Sequence, residues 1–257
     1  MKIHHLRNAT FVIETKGRFI LVDPMLGAKG TAMPLSFFRF DIKRNPLTYL
    51  PENTSMLLNK VTNCLITHLH KDHIDTEGAR YLRERQIPVI CNRVDRKKLQ
   101  KRGINVEFSL VYDQQKNYCN GTIKGIKAVH GYGFVKRIAG EVMGFYLKLF
   151  DDCSIYISSD TVYTTEVGNT LLTLKPDVTV LAAGMAQLDV GEPLLMNEKD
   201  MIRFVRNSPG LVYANHMEAL NHCPYKRVDL RTLLASEGLL DKVVIPGDGE
   251  MDEYIPY

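Results

Sequence analysis

Apolar residues recur at every second position in several short stretches of the chain, and in longer windows between them they recur every three or four. The first pattern belongs to half-buried strands, the second to helices packed along one face. Residues 9–14 and 19–23 read as a β-hairpin turned through Thr15, Lys16, Gly17 and Arg18. Residues 64–67, 89–91, 122–129, 145–150, 153–158, 178–182 and 211–215 read as further strands. Helical spacing covers 75–86 with Asp75 placed to cap it, 94–102 stopped by Gly103, and 162–174. It also covers 198–207 behind Asn197, and 226–237 stopped by Gly238. Regularity fails between 25 and 63, where Pro34, Pro46 and Pro51 punctuate a segment carrying Phe37, Phe38, Arg39 and Phe40. Such a segment either packs onto the domain or forms a lid.

Strands followed by helices in both halves predict an α/β fold. Each sheet has an apolar face to bury, so two mixed sheets should pack face to face with helices outside. A single domain over 1–257 is expected, built from two structurally similar halves meeting near residue 135 without a residue-level repeat.

A content of 45% hydrophobic and 24% charged residues excludes disordered and fibrous classes. The formal charge of +4 is too small to create a field suited to nucleic acid or a membrane surface. The opening MKIHHLRNAT lacks the apolar centre of a secretory signal, and no stretch approaches the ~20 apolar residues that span a bilayer, so a cytoplasmic protein is expected. Cys64, Cys91, Cys119, Cys153 and Cys223 are scattered without a CxxC pair, which suits reduced thiols.

The chemistry concentrates at His68, Leu69, His70, Lys71, Asp72 and His73. The run HxHxDH follows the strand at 64–67 and precedes the helix at Asp75, crowding four ligand-capable side chains onto one turn. His130, Asp160 and His216 each follow a later strand-like run, where a rigid scaffold positions reactive groups. Five imidazoles and two carboxylates exceed what one ion uses. Two ions about 3.5 to 4 Å apart, bridged by a carboxylate and a water or hydroxide, accommodate them. Asp160 is the candidate bridge. Imidazole and carboxylate donors without thiolate suit zinc, with manganese, iron or nickel as alternatives.

In this order of ligands the chain resembles the metallo-β-lactamase superfamily over nearly its whole length. The resemblance implies a four-layer αββα sandwich. It implies that His68, His70 and His130 hold one ion, Asp72, His73 and His216 the other, and Asp160 both, with Asp23 supporting them from beneath. The stretch Asn215, His216, Met217, Glu218, Ala219, Leu220, Asn221, His222, Cys223 resembles the L-ascorbate-6-phosphate-lactonase-like branch of metal-dependent hydrolases, as does Pro246, Gly247, Asp248, Gly249, Glu250. Two departures stand out. Asn8, Ala9 and Thr10 replace a His-Ala-Thr or His-Ala-Ser, removing a rim histidine, and Ser159, Asp160 and Thr161 replace Gly-Asp-Thr.

The expected activity is dinuclear hydrolysis, with a metal-bridging hydroxide attacking an ester, lactone or phosphodiester of a small molecule, phosphorylated ones included. Asp72 and His222 are the catalytic candidates, with Asp23, Glu218 and Arg227 as supporting or rim residues. A non-catalytic metal-binding sensor or scaffold, or a nuclease, would use the same fold; low net charge and the lack of an added nucleic-acid domain argue against the nuclease. No membrane partner is expected, and a homo-oligomer is compatible with the sequence. Loops 25–63 and 131–144 should set specificity.

Overall fold

The computed structural model describes residues 1–255. Six strands open the chain: β1 (Lys2–Arg7), β2 (Thr10–Thr15), β3 (Arg18–Val22), β4 (Asn63–Ile66), β5 (Val89–Asn92) and β6 (Val106–Leu110). They lie side by side in chain order, antiparallel as far as β3 and parallel from β3 to β6. Seven more build the second sheet: β7 (Gln115–Asn117), β8 (Gly121–Lys127), β9 (Met143–Leu149), β10 (Ile155–Ile157), β11 (Val178–Ala182), β12 (Leu211–Asn215) and β13 (Val243–Val244). This sheet is antiparallel to β10 and parallel beyond it, and the final strand β14 (Met251–Glu253) returns to pair with β1.

The helices are α1 (Thr54–Leu58), α2 (Thr76–Glu84), α3 (Arg96–Lys101), α4 (Thr165–Asn169), α5 (Glu198–Asn207) and α6 (Arg227–Ser236). Side chains alternate across a strand, and this parity sorts the core. Ile13, Ile20 and Leu65 of the first sheet share a cluster with Phe145, Ile155 and Val180 of the second. Their neighbours point the other way: Val12, Leu21 and Cys64 meet Leu82 and Leu99 of the helices. Tyr156, Leu181 and Val212 likewise meet Phe204, Leu230 and Leu234. The architecture is therefore the expected αββα sandwich. Among the described residues no helix is long and apolar enough to cross a membrane, and none of the five cysteines is disulfide-bonded.

Several elements differ from the sequence reading. The opening hairpin is a three-strand meander, because β1 breaks alternation with adjacent His4 and His5. His5 is buried, its Nδ1 2.8 Å from the Tyr213 hydroxyl. β7 and β14, with sequences QKN and MDE, are edge strands with no apolar alternation to betray them. The helix expected over 162–174 begins at Thr165, with Thr164 Oγ1 accepting from Val167 N, and ends in a wider π turn over Thr170–Leu174.

In the irregular segment Phe37 and Phe38 are exposed, Phe38 to 92%, so they do not fasten it. Polar contacts do. The buried Arg7 donates to the carbonyls of Met25, Gly27 and Thr48. Asn221 accepts from Leu35 N and donates to the carbonyls of Ser36 and Asp41. Asp189 accepts from Ser36 Oγ and from the N–H groups of Phe37, Phe38 and Arg39.

Asp75 caps α2 by accepting from Gly78 N at 2.8 Å, and also accepts from Leu26 N at 3.1 Å and Gly27 N at 2.6 Å. Gly78 is required for space, since a Cβ there would stand 1.8 Å from the Pro24 carbonyl oxygen. Asp75→Ala removes a cap and an acceptor for the loop after β3. We expect a loss of about 2 kcal/mol, read by calorimetry as a fall in Tm of roughly 4 to 8 °C. A fall below ~1 °C would contradict this anchoring role.

Candidate metal centre

The candidate ligands come from strand ends of both sheets. Asp23 follows β3, the run from His68 to His73 follows β4, His130 lies beyond β8, Asp160 beyond β10, and His216 directly after β12. Asp23, Ser159 and His216 adopt φ of 46°, 62° and 62°. This left-handed region is uncommon for residues with a Cβ, and it turns the chain sharply where the donors must converge.

Donor atoms of His68, His70 and His130 lie within 4.8 Å of one another, as do those of Asp72, His73, Asp160 and His216. Asp160 stands between the two groups: its Oδ2 is 3.2 Å from His73 Nε2, 3.4 Å from His216 Nε2 and 3.7 Å from His130 Nε2. His70 Nδ1 approaches His130 Nε2 at 3.3 Å, and the Nε2 atoms of His73 and His216 face each other at 3.1 Å.

Four of the five imidazoles are fixed through their outward Nδ1. His73 Nδ1 is 2.8 Å from Asp23 Oδ2, and His130 Nδ1 donates to the Leu194 carbonyl at 3.0 Å. His68 Nδ1 lies 3.0 Å from Thr67 Oγ1, whose hydroxyl donates to Asp23, and His216 Nδ1 is 3.6 Å from Cys223 Sγ. Each leaves Nε2 turned inward, whereas His70 presents Nδ1. Outer partners of this kind set ligand tautomer and orientation. His68 Nε2 and Asp160 Oδ1 are buried without any hydrogen-bond partner. Buried polar atoms are rarely left so, and a divalent cation held by the donors would supply what they lack. The residues fit a pair of divalent ions.

The electrostatics divide the centre. Burial lowers the pKa values of His68 and His130, keeping both neutral and ready to donate a lone pair. Burial would also lower that of His73, but the carboxylates of Asp160, Asp23 and Asp72 outweigh it and raise the value to about 10. His216 is raised against its burial, chiefly by Asp160. Burial opposes the charge on Asp72 and Asp160, yet the facing His73 and His216 hold both well below the usual carboxylate range. The second group thus pairs two carboxylates with two protonated imidazoles, and a metal ion binding there would have to displace those protons.

The other sequence candidates fall in different places. Asp23 sits beneath the ligands as described. His222 is buried beside them with its Nδ1 unpartnered, and burial is the main cause that pushes its pKa down to about 4. Glu218 and Arg227 are not brought to the ligands. Arg227 pairs with Glu218, donates to the Pro246 carbonyl at 2.7 Å and meets Asp248 at 2.6 Å, tying α6 to the C-terminal tail.

Sequence reasoning overlooked Thr67 and Asn8. Thr67 stands one residue before the histidine run at the strand end, which was its available signal. Asn8, read as a lost histidine, donates from Nδ2 to the Asp72 carbonyl at 3.1 Å while its own carbonyl accepts from His216 N at 2.9 Å. Its φ of 56° suits an asparagine.

Comparison with known proteins agrees with this geometry. Residues 18–217 match the family described as the Beta-lactamase superfamily domain. The UPF0173 protein YddR of Bacillus subtilis is 31% identical over 255 residues, covering 97% of this chain and 98% of its own. A UPF0173 metal-dependent hydrolase of Flavobacterium johnsoniae is 23% identical over 93% of this chain and 99% of its own. The crystal structure of isothiocyanate hydrolase from Delia radicum gut bacteria superposes with a TM-score of 0.91 at 29% identity, covering all of both chains. With its fold, its ordered ligand set and these matches, the chain belongs to the metallo-β-lactamase superfamily and, within it, to the UPF0173 metal-dependent hydrolases.

Proposed function

We propose that the protein is a dinuclear hydrolase of small molecules, acting on an ester, lactone or phosphodiester. The observation that carries this reading is the position of Asp160 Oδ2, within 3.7 Å of imidazole nitrogens from both ligand groups. Two divalent ions, zinc by the chemistry of the donors, would lower the pKa of a water toward 7 and polarise the scissile bond.

The protein's own groups do the rest. The Nε2 atoms of His68, His130, His73 and His216 and the Nδ1 of His70 would hold the ions, with Asp160 Oδ2 placed between the two groups. Asp72, whose Oδ2 lies 3.4 Å from His216 Nε2, orients the attacking water as well as binding. His222, neutral at pH 7, offers a hydrogen bond to the leaving group. The hydrolase of isothiocyanates among the structural neighbours adds that electrophile to the compounds to be tried.

Three measurements test the reading. With zinc restored, wild type should hydrolyse a member of a panel of esters, lactones, phosphodiesters and isothiocyanates, and His70→Ala should lower kcat/KM more than ~100-fold with loss of bound metal. Unchanged activity in the variant would remove the dinuclear mechanism, and metal binding without turnover would favour a sensor. Asp23→Asn, which removes the carboxylate behind His73, should weaken metal binding by about 10- to 100-fold in competition with a chelator.

The third measurement concerns pH. Because the His73 pKa is raised above its unfolded value of ~6.5, the stabilisation from its charged form is complete below ~6.5 and is lost as pH rises through about 10. A metal ion must displace that proton. Zinc titrations at pH 7 in buffers of different ionisation enthalpy should therefore show net proton release, with apparent affinity climbing toward pH 10. Absence of proton release would contradict the charge assignment.

A further inference from the structure

A groove of about 1360 Å³ runs from Asp72 along α2. It exceeds the ~300 to 1,000 Å³ of most small-molecule pockets, so an ester of a few atoms would leave it largely empty. Leu26, Leu50, Leu69, Ile74 and Leu220 give it apolar lining. Lys71 and Leu69, which alternate with the ligands of the histidine run, join the groove to the metal centre.

The charge of the groove is lopsided. Its carboxylates are committed: Asp72 to the centre, Asp75 to three backbone N–H groups, and Glu77 to Arg80. Its cations Lys29, Lys71, Arg83 and Arg102 have no carboxylate partner among the described residues. Arg83 and Arg102 both line the groove, and the Arg83 side chain passes the backbone beside Arg102, since a Cβ on the neighbouring Gly103 would stand 3.0 Å from Arg83 Cδ. Seven residues of α2 separate Thr76 from Arg83, about 10 Å of helix. Guanidinium groups suit carboxylate or phosphate oxygens.

We propose that this groove is a subsite for an elongated substrate whose apolar chain leaves the metal centre beside Leu69 and Ile74 and ends in a carboxylate or phosphate held by Arg83 and Arg102. The proposal rests on the hydrolase reading for its claim on substrate, while the subsite itself is a binding site that can be tested without turnover. Remote contacts of this sort fix the reacting bond in place.

The test uses the purified metal-loaded protein and three probes that it cannot hydrolyse as esters: 8-hydroxyoctanoate, 8-hydroxyoctylphosphonate and the neutral 1,8-octanediol. Calorimetry on wild type should show both anions binding about tenfold more tightly than the diol. The double variant Arg83→Gln/Arg102→Gln should bring the anions down to the diol, and raised salt should do the same. The tighter of the two anions identifies carboxylate or phosphate as the class. Equal affinity for diol and anions in wild type would overturn the proposal. So would anion binding that survives the double variant but is lost in His70→Ala, which would place the anion on the metals. Circular dichroism of the double variant separates misfolding from loss of contact, and the single variants repeat the measurement if it fails to fold. A failed hydrolysis panel with intact, arginine-dependent anion binding would remove the hydrolase reading and leave the subsite standing.

Discussion

One buried carboxylate, that of Asp23, holds the ligand-bearing turn to the sheet beneath it. Its backbone N–H donates to the Leu65 carbonyl at 3.0 Å, so β3 and β4 stay paired to their ends. Its side chain accepts from Thr67 N at 2.8 Å and Thr67 Oγ1 at 2.7 Å, and faces His73 Nδ1. Leaving a carboxylate uncompensated in such a place costs several kcal/mol. Here both oxygens are used, and each bond fixes part of the centre: the Thr67 hydroxyl passes the constraint to His68, while His73 receives it directly. One imidazole from each donor group is therefore oriented through the same oxygen, Asp23 Oδ2.

The two groups of donors are otherwise unequal. Among the imidazoles of the first group, burial outweighs the nearby carboxylate of Asp160 and keeps His68 and His130 neutral. The second group holds Asp72 and Asp160 beside His73 and His216, with Asp23 behind, so its imidazoles retain protons until a metal displaces them. Ion binding at the first group needs little proton displacement, whereas at the second it exchanges one positive charge for another. On the dinuclear reading proposed above, the pair should load in that order near neutrality, and the gap between the two affinities should narrow as pH rises.

Much of this was legible because strand alternation and ligand order are local patterns. The parity that placed Ile13 on one face and Val12 on the other was readable from β2 alone, and the run from His68 to His73 declared its chemistry by crowding. What escaped depended on partners distant in sequence. β7 and β14 are polar segments that become strands only because a neighbouring edge offers hydrogen bonds. Asn8 could be read only as a missing histidine until its amide and carbonyl were seen between Asp72 and His216. Glu218 lies two residues after His216 with a φ of 61°, and its pairing with Arg227 of α6 is a contact that only the fold brings about.

The segment from His216 to Cys223 ties the donor cluster to the irregular segment. His216 is a donor, Cys223 stands behind its ring, and His222 is buried against the centre. Between them Asn221 grips the irregular segment at Leu35, Ser36 and Asp41 and exchanges bonds with Asn45. Pro34, Leu35 and Asn45 of that segment also line the groove that leads from Asp72. A change in the length of the 25–53 loop therefore cannot reshape the groove alone: it pulls on Asn221, and through a few rigid bonds on the positions of His216 and His222. Variation in substrate preference is more readily accommodated in side chains that line the groove without joining this clasp, such as Arg83 and Arg102, where exposure leaves them free to change without disturbing the donors.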